Sequence, residues 1–391
     1  MKIHLKPKRE ESLLRFHPWV FSGAVKNMEG SPSDGDIVEV YSSQGKFLAS
    51  GHYQAGGSIV VRVLSYSQQT VDRDFWKTKL QQAYTLRESI GLTENPKNNT
   101  YRLIHGEGDG MPGLIIDVYN QTAVMQAHTI GMYRLRHLLA DLLIELYAGR
   151  LTAVYDKSEN TLHAHEQPGN AYLFGQMSGD CTFTEYGNLF TADWEGGQKT
   201  GFFIDQRENR RLVEHYANGR TVLNMFGYTG AFSVYALRGG AKEVHTTDSS
   251  QRAIETAGRN VALNFPDCSS HKGIVSDCFA FFKDREPIYD MMIVDPPAFA
   301  KSRHALKNAL QAYRRLNASA LKAIRPEGIY FTFSCSQTVS REQFRSAVFA
   351  AALDADRRVR IIHQLTQPAD HPVNMFHPEG EYLKGLVLFV E

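Results

Sequence analysis

The stretch RTVLNMFGYTGAFSVYALRGGAKEVHTTDSS (220–250) decides the fold. It opens with an apolar run, passes through a loop that holds Gly227 and Gly230, and continues into a helix-like segment. A second apolar run then ends at Asp248. The order of strand, glycine-bearing loop, helix and strand is typical of a parallel α/β unit. The sequence therefore predicts that a parallel sheet begins here.

The alternation of strands and helices continues to the end of the chain. The segments that follow are a helix (253–264), a strand predicted to end at Asp277, the strand IYDMMIVDPP (288–297), a long helix (302–324) and the strand EGIYFTFSCS (327–336). Such a pattern predicts a doubly wound sheet with a ligand site beyond the carboxyl ends of its strands. Because β-α-β crossovers are right-handed, Asp295 and Cys335 are expected to end neighbouring strands and to face one cleft.

Length and composition predict a chain of two or three domains. The 391 residues are 42% hydrophobic and 22% charged, with a net charge of +1. We expect a small all-β domain at 1–71, an α+β domain at 72–195 and the α/β domain at 196–391. The four cysteines form no C-x-x-C pair, which argues against a metal site or disulfide framework and favours a reducing, cytoplasmic location. No apolar leader and no 18-residue apolar run occurs, so a membrane partner is not expected.

The acidic strand ends predict an adenosine-bearing ligand. Asp248 follows Gly227 by about twenty residues, the offset at which an acid typically holds ribose hydroxyls. Asp277 is then placed to reach an adenine amino group. The loop lacks a full G-x-G-x-x-G pattern, so a dinucleotide, and with it a dehydrogenase, is disfavoured. The alternative is that both aspartates only cap the helices that follow them.

Several motifs carry a resemblance to a known family. They are HPWVFSGAV (17–25), YRLIHGEGDGMPGLIIDVY (101–119), GQKTGFFIDQRENR (197–210), NMFGYTGAF (224–232), DPPAF (295–299), TFSCS (332–336) and ADHPVNMFHPEGEYLKG (369–385). Together they resemble the bacterial large-subunit ribosomal RNA cytosine-5 methyltransferase I family over essentially the whole chain. The resemblance implies an N-terminal PUA domain, a middle α+β domain and a C-terminal Rossmann-like domain that uses S-adenosylmethionine (SAM). The expected cofactor-binding residues are Gln206, Asn224, Phe226, Gly227, Tyr228, Thr229, Asp248, Asp277, Cys278 and Asp295.

The resemblance also implies a reaction. Cys335 would add to carbon 6 of cytosine as a thiolate, and Asp295 would hold the base edge. A packing role is the alternative for Cys335, since free cysteines are commonly buried. In that case, the DPP motif would serve a guanine or exocyclic-amine methyltransferase. A non-catalytic RNA-binding assembly factor is a third possibility.

Basic segments predict an RNA partner. Residues 300–326 hold seven Lys and Arg and no acid, and the first 26 residues are also rich in Lys and Arg. A solvated helix face or terminus is the alternative interpretation. The expected partner is 23S ribosomal RNA or a partially assembled large subunit, and a homodimer is left open. Phe202 and Phe203 either stack on the cofactor or pack in the core, and HAH (163–165) is interpreted as surface strand rather than a metal site.

Overall fold

The computed structural model describes residues 1–162, 169–177, 181–283, 286–300 and 302–391, with the side chain of Arg303 left out. The chain forms two compact units. The first comprises 1–187, 191–204 and 369–380, and the second comprises 188–190, 205–368 and 381–391. The division into three domains at 71 and 195 stays a prediction. Within the described ranges, no helix is long and apolar enough to cross a membrane.

The first unit begins with a six-stranded sheet. Its elements are β1 (Lys2–Leu5), α1 (Glu11–Leu14), β2 (Trp19–Phe21), β3 (Val25–Glu29), β4 (Ile37–Tyr41), β5 (Phe47–Tyr53) and β6 (Ile59–Ser65), in the sheet order β2-β6-β5-β4-β1-β3. Alternating residues of these strands form one core that includes Ile3, Val38 and Val61. The strands β4 and β5 pair as an antiparallel hairpin.

A five-stranded sheet with helices completes the first unit. Its elements are α2 (Arg73–Ser89), β7 (Thr100–His105), β8 (Leu114–Tyr119), β9 (Thr122–Ala127), α3 (Ile130–Arg134), α4 (Arg136–Tyr147), β10 (Ala153–Asp156) and β11 (Ala171–Phe174), in the sheet order β11-β10-β9-β8-β7. The Asp72 carboxylate starts α2 because it accepts a hydrogen bond from the Phe75 N–H at 3.0 Å. Asn120 has φ +54° in the tight turn that joins the antiparallel strands β8 and β9. The HAH sequence at 163–165 lies outside the described residues.

The stretch 369–380 belongs to the first unit although it comes near the end of the chain. Arg87 is fully buried, forms an ion pair with Asp109 and donates a hydrogen bond of 2.8 Å to the Asp370 carbonyl oxygen. The Asp370 carboxylate accepts the Arg102 backbone N–H at 2.9 Å. A buried cation with this many partners ties the late segment to the early helix and strand.

The second unit is the predicted α/β domain. A hairpin of β12 (Cys181–Glu185) and β13 (Asn188–Ala192) comes before this domain in the chain. The helices and strands of the domain are α5 (Arg207–Tyr216), β14 (Thr221–Met225), α6 (Ala231–Arg238), β15 (Glu243–Asp248), α7 (Gln251–Asn264), β16 (His271–Val275), α8 (Cys278–Phe282), β17 (Tyr289–Val294), α9 (Leu306–Ala323), β18 (Ile324–Ser334), α10 (Arg341–Asp354), β19 (Val359–Leu365) and β20 (Lys384–Val390). The seven-stranded sheet has the order β16-β15-β14-β17-β18-β20-β19. The first five strands in this order are parallel, and β20 runs antiparallel to β18 and β19.

The central strands are buried on both faces, which explains their continuous apolar runs. Along β17, Met292 and Val294 join the core with α8, α9 and α10, while Met291 and Ile293 join the core with α5 and α6. These two cores confirm the doubly wound prediction. The strand predicted to end at Asp277 ends earlier, because β16 stops at Val275 and Asp277 lies two residues beyond it.

Candidate active site

The loop after β14 is strained and lies directly on β15. Phe226 and Tyr228 have φ +60° and +45°, a left-handed conformation that non-glycine residues seldom adopt. Between them, a Cβ on Gly227 would lie 2.3 Å from Thr246 Cγ2, so no side chain fits there. Strain of this kind is usually kept where function depends on the backbone path.

Asp248 holds this loop in place. Its Oδ2 accepts the Tyr228 backbone N–H at 3.1 Å, and its Oδ1 accepts the Ser250 N–H at 2.9 Å. The N-cap of α7 is Ser250, whose hydroxyl accepts the Ala253 N–H. The capping alternative therefore does not explain Asp248, which is aimed at the loop instead. On the other side of the loop, the Thr229 carbonyl oxygen accepts a hydrogen bond of 2.8 Å from the Asn260 side chain.

Asn224 lies beneath the loop, at 1% exposure. Its Nδ2 donates to Ser233 Oγ at 2.9 Å, and that hydroxyl lies 2.6 Å from Thr246 Oγ1, which in turn lies 2.8 Å from His271 Nε2. This buried chain of polar groups joins β14, β15 and the first residue of β16 to α6. Asn224 therefore supports the loop from below.

Asp277 caps a helix, as its alternative interpretation predicted. One carboxylate oxygen, Oδ1, accepts the N–H groups of Phe279 and Ala280 at 2.9 and 3.1 Å. The side chain is exposed, and Oδ2 is left for a further donor. Burial and the neighbouring Asp277 charge raise the pKa of the Cys278 thiol, so this thiol is a poor nucleophile at neutral pH.

Asp295 and Cys335 end adjacent parallel strands, as the sequence predicts. Val294 of β17 pairs with Thr332 of β18, and Cys335 Sγ lies 3.9 Å from the carbonyl oxygen of Pro296. Asp295 Oδ2 accepts a hydrogen bond of 3.0 Å from Gln206 Nε2. Since Asn209 donates to the Gln206 amide oxygen at 2.6 Å, the Gln206 amide is oriented with its N–H₂ toward the carboxylate.

The segments that flank Asp295 and Cys335 are also bound to each other. Ser336 Oγ accepts the Ala300 N–H at 3.4 Å and lies 3.1 Å from the Tyr313 hydroxyl. Phe299 packs on the ring of Tyr313 with 4.7 Å between centroids. These contacts hold the two strand tips together on one side of the sheet.

Sequence reasoning missed Lys384. This residue starts β20, lies opposite Ser334 of β18 and is 4% exposed. Its Nζ donates to the Ser336 carbonyl oxygen at 2.7 Å, which brings a cation beside Cys335. A lone lysine directly before the apolar run GLVLFV was the signal in the sequence. The sequence alone did not show which strand lies beside Lys384, because its partner β18 is distant along the chain.

The basic stretch after β17 is partly neutralised within the protein. Arg314 forms a two-pronged ion pair with Asp354 at 2.6 Å, and the Arg315 guanidinium lies 5.2 Å from the ring centroid of Phe279. Lys307 is exposed. Lys301 and the side chain of Arg303 lie outside the described residues.

The two phenylalanines of GQKTGFFIDQ belong to the first unit. Phe202 is 3% exposed and packs against Phe183 with 4.9 Å between centroids, which confirms the core interpretation for that residue. The Lys199 Nζ lies 4.9 Å from the Phe203 ring centroid. Among the described residues, no group of three or more His, Cys, Asp or Glu is placed to hold a metal ion.

A parallel sheet with a strained glycine loop after one strand and an acid at the end of the next has the arrangement of a nucleoside-binding α/β domain. Comparison with known families gives the class, since the family described as "S-adenosylmethionine-dependent methyltransferase" matches residues 157–370 and a "PUA-like domain" matches residues 3–66. Proteins named "Ribosomal RNA large subunit methyltransferase I" from Tolumonas auensis and Erwinia tasmaniensis are each 39% identical to the chain. The aligned regions span 99% and 98% of this chain, respectively, and 98% of each relative. The chain belongs to the ribosomal RNA large subunit methyltransferase I family.

Solved structures confirm the fold. A Streptococcus mutans protein described as a SAM-dependent methyltransferase superimposes with a TM-score of 0.86 at 23% identity, over all of both chains. A methyltransferase crystallised with S-adenosylhomocysteine (SAH) superimposes with a TM-score of 0.87 at 23% identity, again over all of both chains. The family model and the 39% identical relative confirm the family assignment and the SAM cofactor predicted from the motifs.

Proposed function

We propose that this enzyme forms 5-methylcytosine in 23S ribosomal RNA, with Cys335 as the nucleophile. The observation that carries the proposal is the pairing of β17 with β18, which places the Cys335 thiol 3.9 Å from the carbonyl of the residue that follows Asp295. Methylation of carbon 5 needs a nucleophile and a group that holds the base, and the thiol and the carboxyl group at these adjacent strand ends can serve as the two. The ribosomal substrate is suggested by the names of the relatives.

The chemistry needs a thiol because carbon 5 of cytosine is a weak nucleophile. When the Cys335 thiolate adds to carbon 6, a sulfur–carbon bond forms and carbon 5 gains enamine character. Carbon 5 then accepts a methyl group and loses its proton, and the sulfur–carbon bond breaks to return the thiolate. Asp295 or water is the candidate base for that proton.

Asp295 has the geometry of a group that holds the base. The Gln206 amide occupies Oδ2 and fixes the carboxylate plane, since that amide is itself oriented by Asn209. A carboxyl group fixed in this way can accept a hydrogen bond from the cytosine amino group and, when protonated, can donate one to N3, where negative charge develops as the thiolate adds. The role of Gln206 in this arrangement is to position Asp295.

The structure offers a fitting site for the cofactor. SAM, when bound, supplies an electrophilic methyl group. The loop residues Phe226, Gly227, Tyr228 and Thr229 present their backbone, and the Asp248 carboxylate is the natural acceptor for ribose hydroxyls at the end of β15. Asn224, Gln206, Asp277, Cys278 and Asp295 complete the proposed set, with Asp277 Oδ2 available for an amino group.

RNA contacts are proposed for exposed cationic and aromatic side chains. In the first unit, Phe16 and Phe376 are 49% and 50% exposed, and their ring centroids lie 5.3 Å apart. Exposed aromatic rings beside lysine and arginine suit unpaired bases and backbone phosphates. In the second unit, Lys307 is exposed on the helix that follows Asp295. The target cytosine must be unpaired or flipped out to reach Cys335.

The test uses ribosomal RNA from cells that lack the enzyme. Wild type, Cys335→Ala and the matched control Cys268→Ala are incubated with this RNA and methyl-labelled SAM, and the product nucleoside is identified by mass spectrometry. We expect 5-methylcytidine from wild type and Cys268→Ala and none from Cys335→Ala. Continued methylation by Cys335→Ala, or a guanine or amine product, would refute the thiol mechanism. Absence of SAM binding by calorimetry would instead favour an assembly factor. Naked RNA and partially assembled large subunits are tested side by side.

A further inference from the structure

Lys384 places a buried ammonium group beside the Cys335 segment. Two independent contacts set its position: the β18–β20 register pairs it with Ser334, and its Nζ lies 2.7 Å from the Ser336 carbonyl oxygen. Both flanking residues of Cys335 are therefore in contact with the lysine. The cysteine itself lies between them at the strand tip.

The other charged neighbours of Lys384 act on it in opposite directions. Arg341 lowers the pKa of Lys384 and Glu381 raises it, and these two side chains form an ion pair with each other. In the part of the chain that the structure describes, no carboxylate lies within ion-pair distance of Lys384 Nζ. Burial lowers the pKa of Lys384 to about 8, and a negative charge on Cys335 acts in the opposite direction. The lysine is thus charged at neutral pH and favours an anion at Cys335.

We propose that Lys384 is a positioning residue whose ammonium group stabilises the Cys335 thiolate. The attraction between the two charges acts on both groups equally. A thiolate at Cys335 stabilises the Lys384 ammonium group, and the ammonium group stabilises the thiolate to the same extent. Ionisation breaks the S–H bond and releases the proton to solvent, while Lys384 keeps its own three protons. The consequence for methyl transfer rests on the proposed function of Cys335, but the effect on the thiol does not.

A merely structural role for Lys384 would be to satisfy the Ser336 carbonyl oxygen. Three variants separate that role from the proposed one. Lys384→Gln keeps an N–H donor without charge, Lys384→Arg keeps both donor and charge, and Lys384→Met keeps neither.

The experiment measures the alkylation rate of Cys335 by iodoacetamide from pH 5.5 to 10, resolved by peptide mass spectrometry in the full chain. Cys268 and Cys278 in the same digest are internal controls. One pKa unit corresponds to a tenfold change in thiolate population below the midpoint. We expect Cys335 alkylation at pH 7 to fall about tenfold in Lys384→Gln and Lys384→Met and to stay within about threefold in Lys384→Arg. The profiles should converge near pH 10, where the thiol ionises in every variant.

A wild-type pH profile in Lys384→Gln, with unchanged circular dichroism, would overturn the proposal. If Lys384→Met does not fold, the comparison of the Gln and Arg variants decides, since both retain the hydrogen bond to Ser336. Failure of the proposed function has a different signature, because Cys335→Ala would then still methylate RNA while the alkylation shift persisted. Turnover of the Lys384 variants should fall in kcat with KM for SAM unchanged.

Discussion

Gly227→Ala tests the idea that the cofactor loop must lie against β15. The added methyl group would lie 2.3 Å from Thr246 Cγ2, far inside van der Waals contact. Thr246 has little freedom to move away, because its hydroxyl lies 2.6 Å from Ser233 Oγ and 2.8 Å from His271 Nε2. Overpacking of this kind costs about 1–3 kcal/mol. We expect this cost to appear both in the stability of the second unit and in its affinity for SAM.

The compensating change is Thr246→Ser, which removes Cγ2 and keeps the hydroxyl. Alone it should cost about 1 kcal/mol for one buried methyl group. In the double variant the Ala methyl takes the vacated space, so the pair should show a favourable coupling of about 1–2 kcal/mol.

The assay must report on the second unit alone. All three tryptophans, Trp19, Trp76 and Trp194, lie in the first unit, so their fluorescence serves as an internal control. Urea-dependent hydrogen exchange of β14 and β15 amides measures the unfolding free energy of the second unit, and calorimetry measures SAM affinity. Unchanged exchange and affinity in Gly227→Ala, or no recovery with Thr246→Ser, would contradict the packing argument.

Three further predictions concern other residues. Asp248→Asn removes a charged acceptor from the loop and should weaken SAM binding about 10- to 100-fold by calorimetry, with RNA affinity unchanged. Burial lowers the pKa of His52 to about 4, so the unfolded chain binds a proton that the native chain excludes, and stability is lost as the pH falls from 6.5 toward 4. In His52→Gln, the free energy of unfolding should fall by up to about 3 kcal/mol less over this pH range. Urea titrations followed by tryptophan fluorescence measure it, and an equally steep loss in the variant would contradict the prediction. Lys307→Ala should lower RNA affinity and reduce the slope of log affinity against log salt concentration by about 1. Arg314→Ala should have a smaller effect on both, because Asp354 already neutralises Arg314. Equal effects of the two variants would argue against Lys307 as a specific phosphate contact.

Local patterns in the sequence were sufficient to predict a strand or helix where a residue's environment depends only on its own element. The continuous apolar run before Asp295 is typical of a strand buried on both faces, and Met292 and Ile293 do face opposite cores. The helix that starts at Asp72 was likewise predictable, because its cap is three residues from its partner.

Side-chain roles were less predictable than elements. Asp248 and Asp277 look alike in the sequence, since both follow an apolar run and precede a helix. In the structure, Asp277 caps its helix, whereas Asp248 leaves the cap to Ser250 and holds the glycine loop. The difference lies in which backbone N–H groups come within reach, and only the folded loop determines that.

The sequence by itself determined the parallel α/β frame and the meeting of Asp295 with Cys335, because a right-handed crossover over one helix leaves the two strands as neighbours. Only the tertiary structure decided which cation accompanies the thiol. Lys384 contacts the residues on either side of Cys335 because β20 inserts antiparallel between β18 and β19, a placement that no crossover rule dictates. Hydrophobic periodicity shows which face of a strand is buried, but the partner beside it depends on packing across the whole sheet.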